Sequence, residues 1–124
     1  MSANRFPKSG RLRGQKKIQE LFKRGSSFYL QPFRVVVLKD GKGVQVGHEV
    51  LFSVSKRDFK KAVSRSRIKR LMKEAYRLNQ SKISNLPKLQ IAYIYTAKEL
   101  PDFRLVEEKL IESFERLKQY VEKS

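Results

Sequence analysis

Apolar residues recur with a helical period in three parts of the chain. Residues 15–24 have apolar side chains at Ile18, Leu21 and Phe22. Gly25 follows them, at the position where a glycine often ends a helix. In residues 62–79 they form one continuous stripe at Ile68, Leu71, Met72, Ala75 and Tyr76. The third set starts near Pro101 and Asp102 and continues through Val106, Leu110, Phe114, Leu117 and Val121. The pattern predicts a short first helix, a second amphipathic helix and a long closing helix.

Aromatic and β-branched residues dominate the segment after the first helix. Residues 27–38 predict one strand, or two strands broken at Pro32. The sequence Asp-Gly-Lys-Gly at residues 40–43 is a strong turn signal. It predicts that the strand before the turn pairs with the return segment, residues 44–55, in which we expect a bulge or bend near Gly47.

A last strand follows the second helix. Residues 81–88 break the helical pattern, and residues 89–95 again have the composition of a strand. If Pro32 separates two strands, the order is α-β-β-β-α-β-α, which predicts an α+β fold. We expect a two-layer α-β sandwich, with the helices against one mixed sheet of about four strands. The length of 124 residues and the lack of a linker predict one domain over residues 1–124, with residues 1–13 as a mobile basic arm.

The chain has a formal net charge of +17, and the excess lies in its first part. Residues 1–77 contain 21 Lys and Arg against 5 Asp and Glu, whereas residues 78–124 contain 8 against 7. Self-repulsion of this size is relieved by a polyanionic partner, and a merely solubilising surface usually mixes both signs. We therefore expect nucleic acid as the partner.

Several classes of function are excluded or disfavoured by composition. The chain has no cysteine, so disulfides, thiolate metal sites and thiol catalysis are excluded. No apolar run approaches the roughly 20 residues of a membrane span, and the first residues do not resemble a signal peptide, which favours a cytoplasmic protein without a membrane partner. The single histidine, His48, has no nucleophile beside it and is expected in a strand. We expect no catalytic residues, no metal site and no cofactor in this chain.

The second helix has a cationic face opposite its apolar stripe. Its polar positions at helical spacing form a column roughly 15 Å long, given a rise of about 1.5 Å per residue: Ser66, Lys69, Arg70, Lys73 and Arg77, with Arg65 and Arg67 beside its start. Like charges at these spacings repel, and bound phosphates would offset that repulsion. The other interpretation is a solvated helix face, although Glu74 is the only acidic residue between Lys60 and Arg77.

A second candidate site lies between the first helix and the sheet. Because side chains alternate along a strand, Arg34 and Val36 lie on one face of the predicted sheet, and Phe33, Val35 and Val37 lie on the other. If that face meets Ile18 and Phe22, the four residues would line a shallow trough where single-stranded RNA could stack its bases. The alternative is that these apolar side chains belong to the core.

Two stretches resemble the signature of the bacterial ribonuclease P protein family. They are Ser-Val-Ser-Lys-Arg at residues 53–57 and Lys-Ala-Val-Ser-Arg-Ser-Arg-Ile-Lys-Arg-Leu-Met-Lys-Glu-Ala-Tyr-Arg at residues 61–77. Residues 11–13 and 21–25 are also similar to the family around its first helix. The resemblance covers most of the chain and is weakest in the C-terminal third.

This resemblance implies a fold like that of the second domain of ribosomal protein S5, with a left-handed β-α-β crossover around the basic helix. It also implies two partners, the catalytic RNA of ribonuclease P and precursor tRNA, and no obligate protein partner. The partner RNA would use Mg²⁺ to cleave off the 5′ leader of the precursor. The basic helix would bind that RNA, and the leader would contact Phe22, Lys56 and Arg57.

The sequence departs from the family pattern at several positions. Ser66 replaces a usual asparagine, and Ile18 stands at a position that is commonly aromatic. We interpret the chain as a divergent member of the family. Two other functions remain open, a non-enzymatic ribosomal or RNA-assembly protein and a DNA-binding architectural protein, although the motifs typical of the latter are missing.

Overall fold

Helices and strands follow one another in the predicted order. The computed structural model describes residues 11–39 and 48–123, and its elements are α1 (Gln15–Arg24), β1 (Ser26–Leu30), β2 (Phe33–Lys39), β3 (Glu49–Val54), α2 (Ala62–Asn79), β4 (Leu89–Tyr95) and α3 (Phe103–Lys123). A short 3-10 helix, Gln80–Ile83, follows α2 directly. The predicted α+β class and the order αβββαβα are confirmed.

The four strands form one mixed sheet in the order β1-β2-β4-β3. β4 pairs with β2 in the antiparallel sense and with β3 in the parallel sense, so the β3-α2-β4 crossover is present. The predicted pairing of β2 with β3 is wrong, because β4 lies between them. β4 is apolar on both faces, which favours a place where neighbouring elements cover both, and all but one of its residues are buried. The turn at residues 40–43 and the bend near Gly47 lie outside the described residues.

The main core lies between the sheet and the helices α2 and α3. The predicted stripe of α2 is buried, with Ile68, Met72 and Ala75 fully covered. Tyr76 meets the ring of Phe52 on β3 at a centroid distance of 6.0 Å. The apolar positions of α3 pack on the same side, at Val106, Leu110, Phe114 and Leu117. These contacts fix α2 on the sheet and direct its charged face outward.

α1 packs on the opposite face of the sheet and covers a smaller apolar cluster. Leu21 of α1 and Leu12 join Val36 and Ala92 there. Leu12 is 3% exposed, and its N–H donates to the carbonyl of Val50 at 3.0 Å. The predicted arm therefore extends too far, because residues 11 and 12 pack against β3. A single leucine between two arginines gives no periodic signal that would have shown this.

Gly25 ends α1 in an extended conformation, with φ −73°, and not in the left-handed conformation of a C′ glycine. Its N–H donates to the carbonyl of Leu21 at 2.8 Å. Glycine is required by close approach, because a Cβ here would collide with the carbonyl oxygen of Leu21 and lie 2.9 Å from Val36 Cγ1 and 3.0 Å from the carbonyl oxygen of Val37. The missing side chain lets the end of α1 lie against β2.

Candidate nucleic-acid interface

The outward face of α2 carries cations that point away from the core. Arg67, Arg70 and Lys73 are exposed, and Lys69 is half-buried. Among the residues that the structure describes, no carboxylate lies within ion-pair distance of these four side chains. Ser66, which was predicted on the same face, is exposed as well. The part of the predicted column formed by Lys69, Arg70 and Lys73, with Arg67 beside it, therefore has no carboxylate within ion-pair distance among the described residues.

Two of the predicted RNA contacts have partners within the protein. Arg77 is half-buried and its Nε donates to the Glu74 carboxylate at 2.6 Å. Arg65 donates to the backbone carbonyls of Phe59 and Lys60 at 2.7 and 3.0 Å. Both guanidinium groups are already hydrogen-bonded, so each is less available for phosphate than those of Arg67 and Arg70. Their assignment as RNA contacts stays a prediction, and their hydrogen bonds within the protein give them a structural role as well.

The bonds of Arg65 brace the loop that precedes α2. Phe59 is buried, and its N–H donates to the carbonyl of Ser55 at 3.1 Å, while the Ser55 hydroxyl accepts from the N–H of Arg57 at 3.2 Å. With the loop held in this way, Lys56 and Arg57 are exposed just beyond the end of β3. These cations lie at the end of the sheet where Val54 pairs with Tyr95.

The N-terminal segment adds a further cation beside α2. Arg11 bridges to Val50 at the edge of the sheet. Burial, together with the positive charges of Arg11 and Lys69, lowers the pKa of Lys73. Three cations therefore lie close enough to repel one another, and a phosphate between them would relieve that repulsion. Arg11 was not among the predicted contacts, because nothing in the sequence indicates that residue 11 lies beside residue 73.

The predicted trough exists only in part. Ile18 is half-buried against the cluster under α1, Phe22 is 42% exposed, and Arg34 is exposed on the same side of the sheet. Val36 is 2% exposed, so it supports α1 and offers almost no surface to RNA in this structure. Alternation gave the correct face for Val36 but could not show that α1 covers it.

One row of residues across this face borders the cluster that α1 covers, and its member Ile94 packs against that cluster. It consists of the register partners on the four strands, which we call the open row: Tyr29, Arg34, Ile94 and Ser53. Tyr29 and Arg34 are exposed, and the other two are half-buried. In the adjacent row on this face, Val36 and Ala92 are buried. Tyr29 and Ile94 are absent from the predicted site, although alternation along β1 could have identified Tyr29.

His48 has a structural role. It is buried, its Nδ1 accepts the N–H of Leu89 at 3.0 Å, and its Nε2 therefore carries the proton that it donates to the carbonyl of Ile83 at 2.7 Å. Burial lowers the pKa of this imidazole, and the bond to Ile83 opposes that shift. The ring thus joins the start of β3 to the start of β4. His48 was expected within a strand, and it lies immediately before β3.

Two negative findings apply to residues 11–39 and 48–123 alone. In these ranges no group of three or more His, Cys, Asp or Glu side chains is placed to hold a metal ion. No helix in them has the length and apolar character needed to cross a membrane.

A basic helix beside an open sheet face defines this α+β chain as a nucleic-acid-binding protein by class. The Ribonuclease P family model matches residues 6–118. The chain is 36% identical over 115 residues to the ribonuclease P protein component of Porphyromonas gingivalis, covering 89% of this chain and 84% of that one. It is 35% identical over 125 residues to the component of Chlorobium phaeobacteroides, with coverages of 89% and 86%.

Solved structures agree with this result. The ribonuclease P protein of Thermotoga maritima superposes with a TM-score of 0.71 at 29% identity, covering 86% of this chain and 96% of that one. That of Staphylococcus aureus superposes with a TM-score of 0.75 at 21% identity, covering 90% and 97%, and supports the fold alone. The chain belongs to the bacterial ribonuclease P protein family, whose members are the protein subunits of the ribonucleoprotein that processes the 5′ end of precursor tRNA.

Proposed function

We propose that the outward face of α2 binds the phosphate backbone of the ribonuclease P RNA. The observation that carries this proposal is the column of cations without an acidic partner on a helix that the core holds rigidly. Arg67 and Arg70 offer planar donor groups that match phosphate oxygens, and Lys69 and Lys73 add point charges on the same side. Arg65 acts as a positioning residue, because it fixes the loop that presents Lys56 and Arg57.

We also propose that the α1 face of the sheet holds the single-stranded 5′ leader of precursor tRNA. Phe22 exposes an aromatic ring on α1, Ile18 adds apolar surface, and Arg34 places a cation on the neighbouring strand. Exposed aromatic rings between cations are the usual means by which proteins stack single-stranded bases and neutralise their phosphates.

In this proposal the partner RNA performs the hydrolysis with its own Mg²⁺, in the bacterial cytoplasm where precursor tRNA is made. The protein contributes binding and placement of the substrate, because its charges lower the repulsion between two polyanions. This division of labour follows the family resemblance.

Reconstitution with a bacterial ribonuclease P RNA and a precursor tRNA tests the function as a whole. The protein should raise the cleavage rate at low Mg²⁺, where the RNA alone is slow. An unchanged rate would count against the proposed role of this chain.

The leader site is tested with Phe22→Ala and a matched control, Leu105→Ala, which shortens an exposed side chain on α3 at the other side of the molecule. Loss of one stacking contact should weaken the binding of leader-bearing tRNA by about 1–3 kcal/mol more than the binding of mature tRNA. Equal losses for the two tRNAs would show that Phe22 does not contact the leader.

A further inference from the structure

Tyr29 is the most exposed aromatic residue on the α1 face of the sheet, and no part of the proposed function uses it. Its neighbour Phe28 turns to the other face, where the guanidinium of Arg116 lies 4.5 Å from the ring centroid. Alternation along β1 therefore places Tyr29 on the α1 face, with 57% of its surface exposed. A large apolar ring exposed next to cations needs an explanation that packing does not supply.

The position of Tyr29 is defined by bonds at its hydroxyl. The hydroxyl lies 3.4 Å from Thr96 Oγ1 and 3.3 Å from the side-chain oxygen of Gln31, and it donates its proton to one of these two acceptors. Thr96 follows β4, two strands away from β1 in the sheet, and its own hydroxyl donates to the carbonyl of Pro32 at 3.0 Å. The tyrosine side chain thus extends over β2 toward β4, and its outer ring face is open to solvent.

The open row forms a continuous surface across the sheet. Tyr29 pairs with Arg34, Arg34 with Ile94, and Ile94 with Ser53. At about 4.8 Å per strand the row spans roughly 14 Å, which is the length of about four stacked nucleotides at 3.4 Å each. At the β3 end of the row the chain continues to the exposed cations Lys56 and Arg57.

We propose that the open row is a binding surface for single-stranded RNA in which Tyr29 is a second base-stacking position, separate from Phe22. The row offers, in sequence, an aromatic ring, a guanidinium, an apolar side chain and a hydroxyl. This combination suits nucleotides, because it provides a stacking surface with a cation beside it for phosphate. Because Tyr29 lies on the outer strand β1, the base that stacks on it belongs to a different leader nucleotide from the base that stacks on Phe22. The inference rests on the proposed role of this face in leader binding.

The test uses the reconstituted holoenzyme and precursor tRNAs in which one leader nucleotide at a time is abasic. With the unaltered protein, removing the base that stacks on Tyr29 should weaken substrate binding about fivefold or more. With Tyr29→Ala that abasic substitution should have no further effect, whereas Tyr29→Phe should retain the sensitivity because it keeps the ring. Leu105→Ala, on the opposite side of the sheet, is the control.

The results separate this inference from the proposed function. If leader length and leader bases have no influence with the unaltered protein, the proposed leader site itself fails. If the unaltered protein is sensitive to an abasic leader and Tyr29→Ala leaves every sensitivity in place, only the role of Tyr29 is overturned. Loss of sensitivity at the same nucleotide for Tyr29→Ala and Phe22→Ala would also overturn it, because the two positions would then not be separate.

A crosslink measured on the unaltered protein makes the test independent of variant folding. Leaders that carry one photoreactive uridine at successive positions should attach to the peptide containing Tyr29 from one or two positions only. Attachment to Phe22 from every reactive position, without Tyr29, would contradict the proposal.

Discussion

Replacing both Arg70 and Lys73 with alanine should make RNA binding less dependent on salt. Both side chains are exposed on the outward face of α2, and no acidic partner is close to either among the described residues. Each phosphate contact releases counterions and contributes about 0.9 to the slope of log K against log salt for a duplex and about 0.7 for a single strand. Loss of two contacts should therefore make the slope shallower by about 1.4–1.8.

This change in slope can be converted into measured affinities. Between 50 and 200 mM salt, the affinity of the unaltered protein should fall about 7- to 12-fold more than that of the double variant. Filter binding or fluorescence titration of the ribonuclease P RNA over this range, at fixed Mg²⁺, gives both slopes.

A matched control removes two cations from α3. Lys109 and Lys118 lie 3.7 and 3.8 Å from Glu112 and Glu115. The variant with both lysines changed to alanine has the same net charge as the α2 variant, yet its slope should stay close to that of the unaltered protein. Equal slopes for the two variants would refute the reasoning, since salt dependence would then report net charge and not contacts made by α2.

Three further outcomes are expected. His48, the only histidine, is neutral in the fold and has a lowered pKa, so the unfolded chain binds more protons below about pH 6.5. The free energy of unfolding should be constant above that pH and fall as the pH is lowered below it, and denaturant titrations of His48→Gln should show no such fall between pH 6.5 and 5. Gly25→Ala should destabilise the fold by about 1–3 kcal/mol in the same assay, because the added Cβ collides with the backbone carbonyl of Leu21 and crowds Val36; an unaltered midpoint would contradict this. Arg65→Ala should weaken RNA binding while leaving its salt slope unchanged, because the guanidinium holds carbonyl groups and not phosphate. A shallower slope would restore Arg65 as a phosphate contact.

The secondary structure could be predicted because each element has a pattern of its own. Ile68, Met72 and Tyr76 repeat at helical spacing, and all three are buried as that spacing requires. The strand before Pro32 and the strand after it differ in burial but share the composition of strands. Local periodicity is sufficient for such elements, since it reports which face of each meets the core.

The topology could not be predicted from turn residues. A turn sequence after β2 favours pairing with the next strand, but β4 is apolar on both faces and is best buried between two neighbours. That preference acts between residues more than 50 positions apart, as in the pairing of Phe33 with Tyr95, and no local signal reports it. The continuous apolar run of β4 was nevertheless a sign of a central strand.

The exposure of the candidate residues could be predicted better on α2 than on the sheet. The helical column of charges follows from spacing alone, whereas the engagement of Arg65 by carbonyls depends on the shape of a loop. On the sheet, alternation identified the face of Arg34 and Val36 but not how far α1 covers it. Tyr29 was missed because the trough was built around the first helix and not around the strand that follows.

The central place of β4 determines when this protein can fold during synthesis. β1, β2 and β3 leave the ribosome before β4, yet β3 has no neighbouring strand in the sheet, only the bridge of Arg11 to Val50, until β4 inserts beside it. By then a stretch of 77 residues with a net charge of +16 has emerged without a complete core. Contacts so distant in sequence form slowly, so the nascent chain is exposed to cellular polyanions before its own sheet closes. Nascent chains of this family therefore have the opportunity to meet RNA before they are folded.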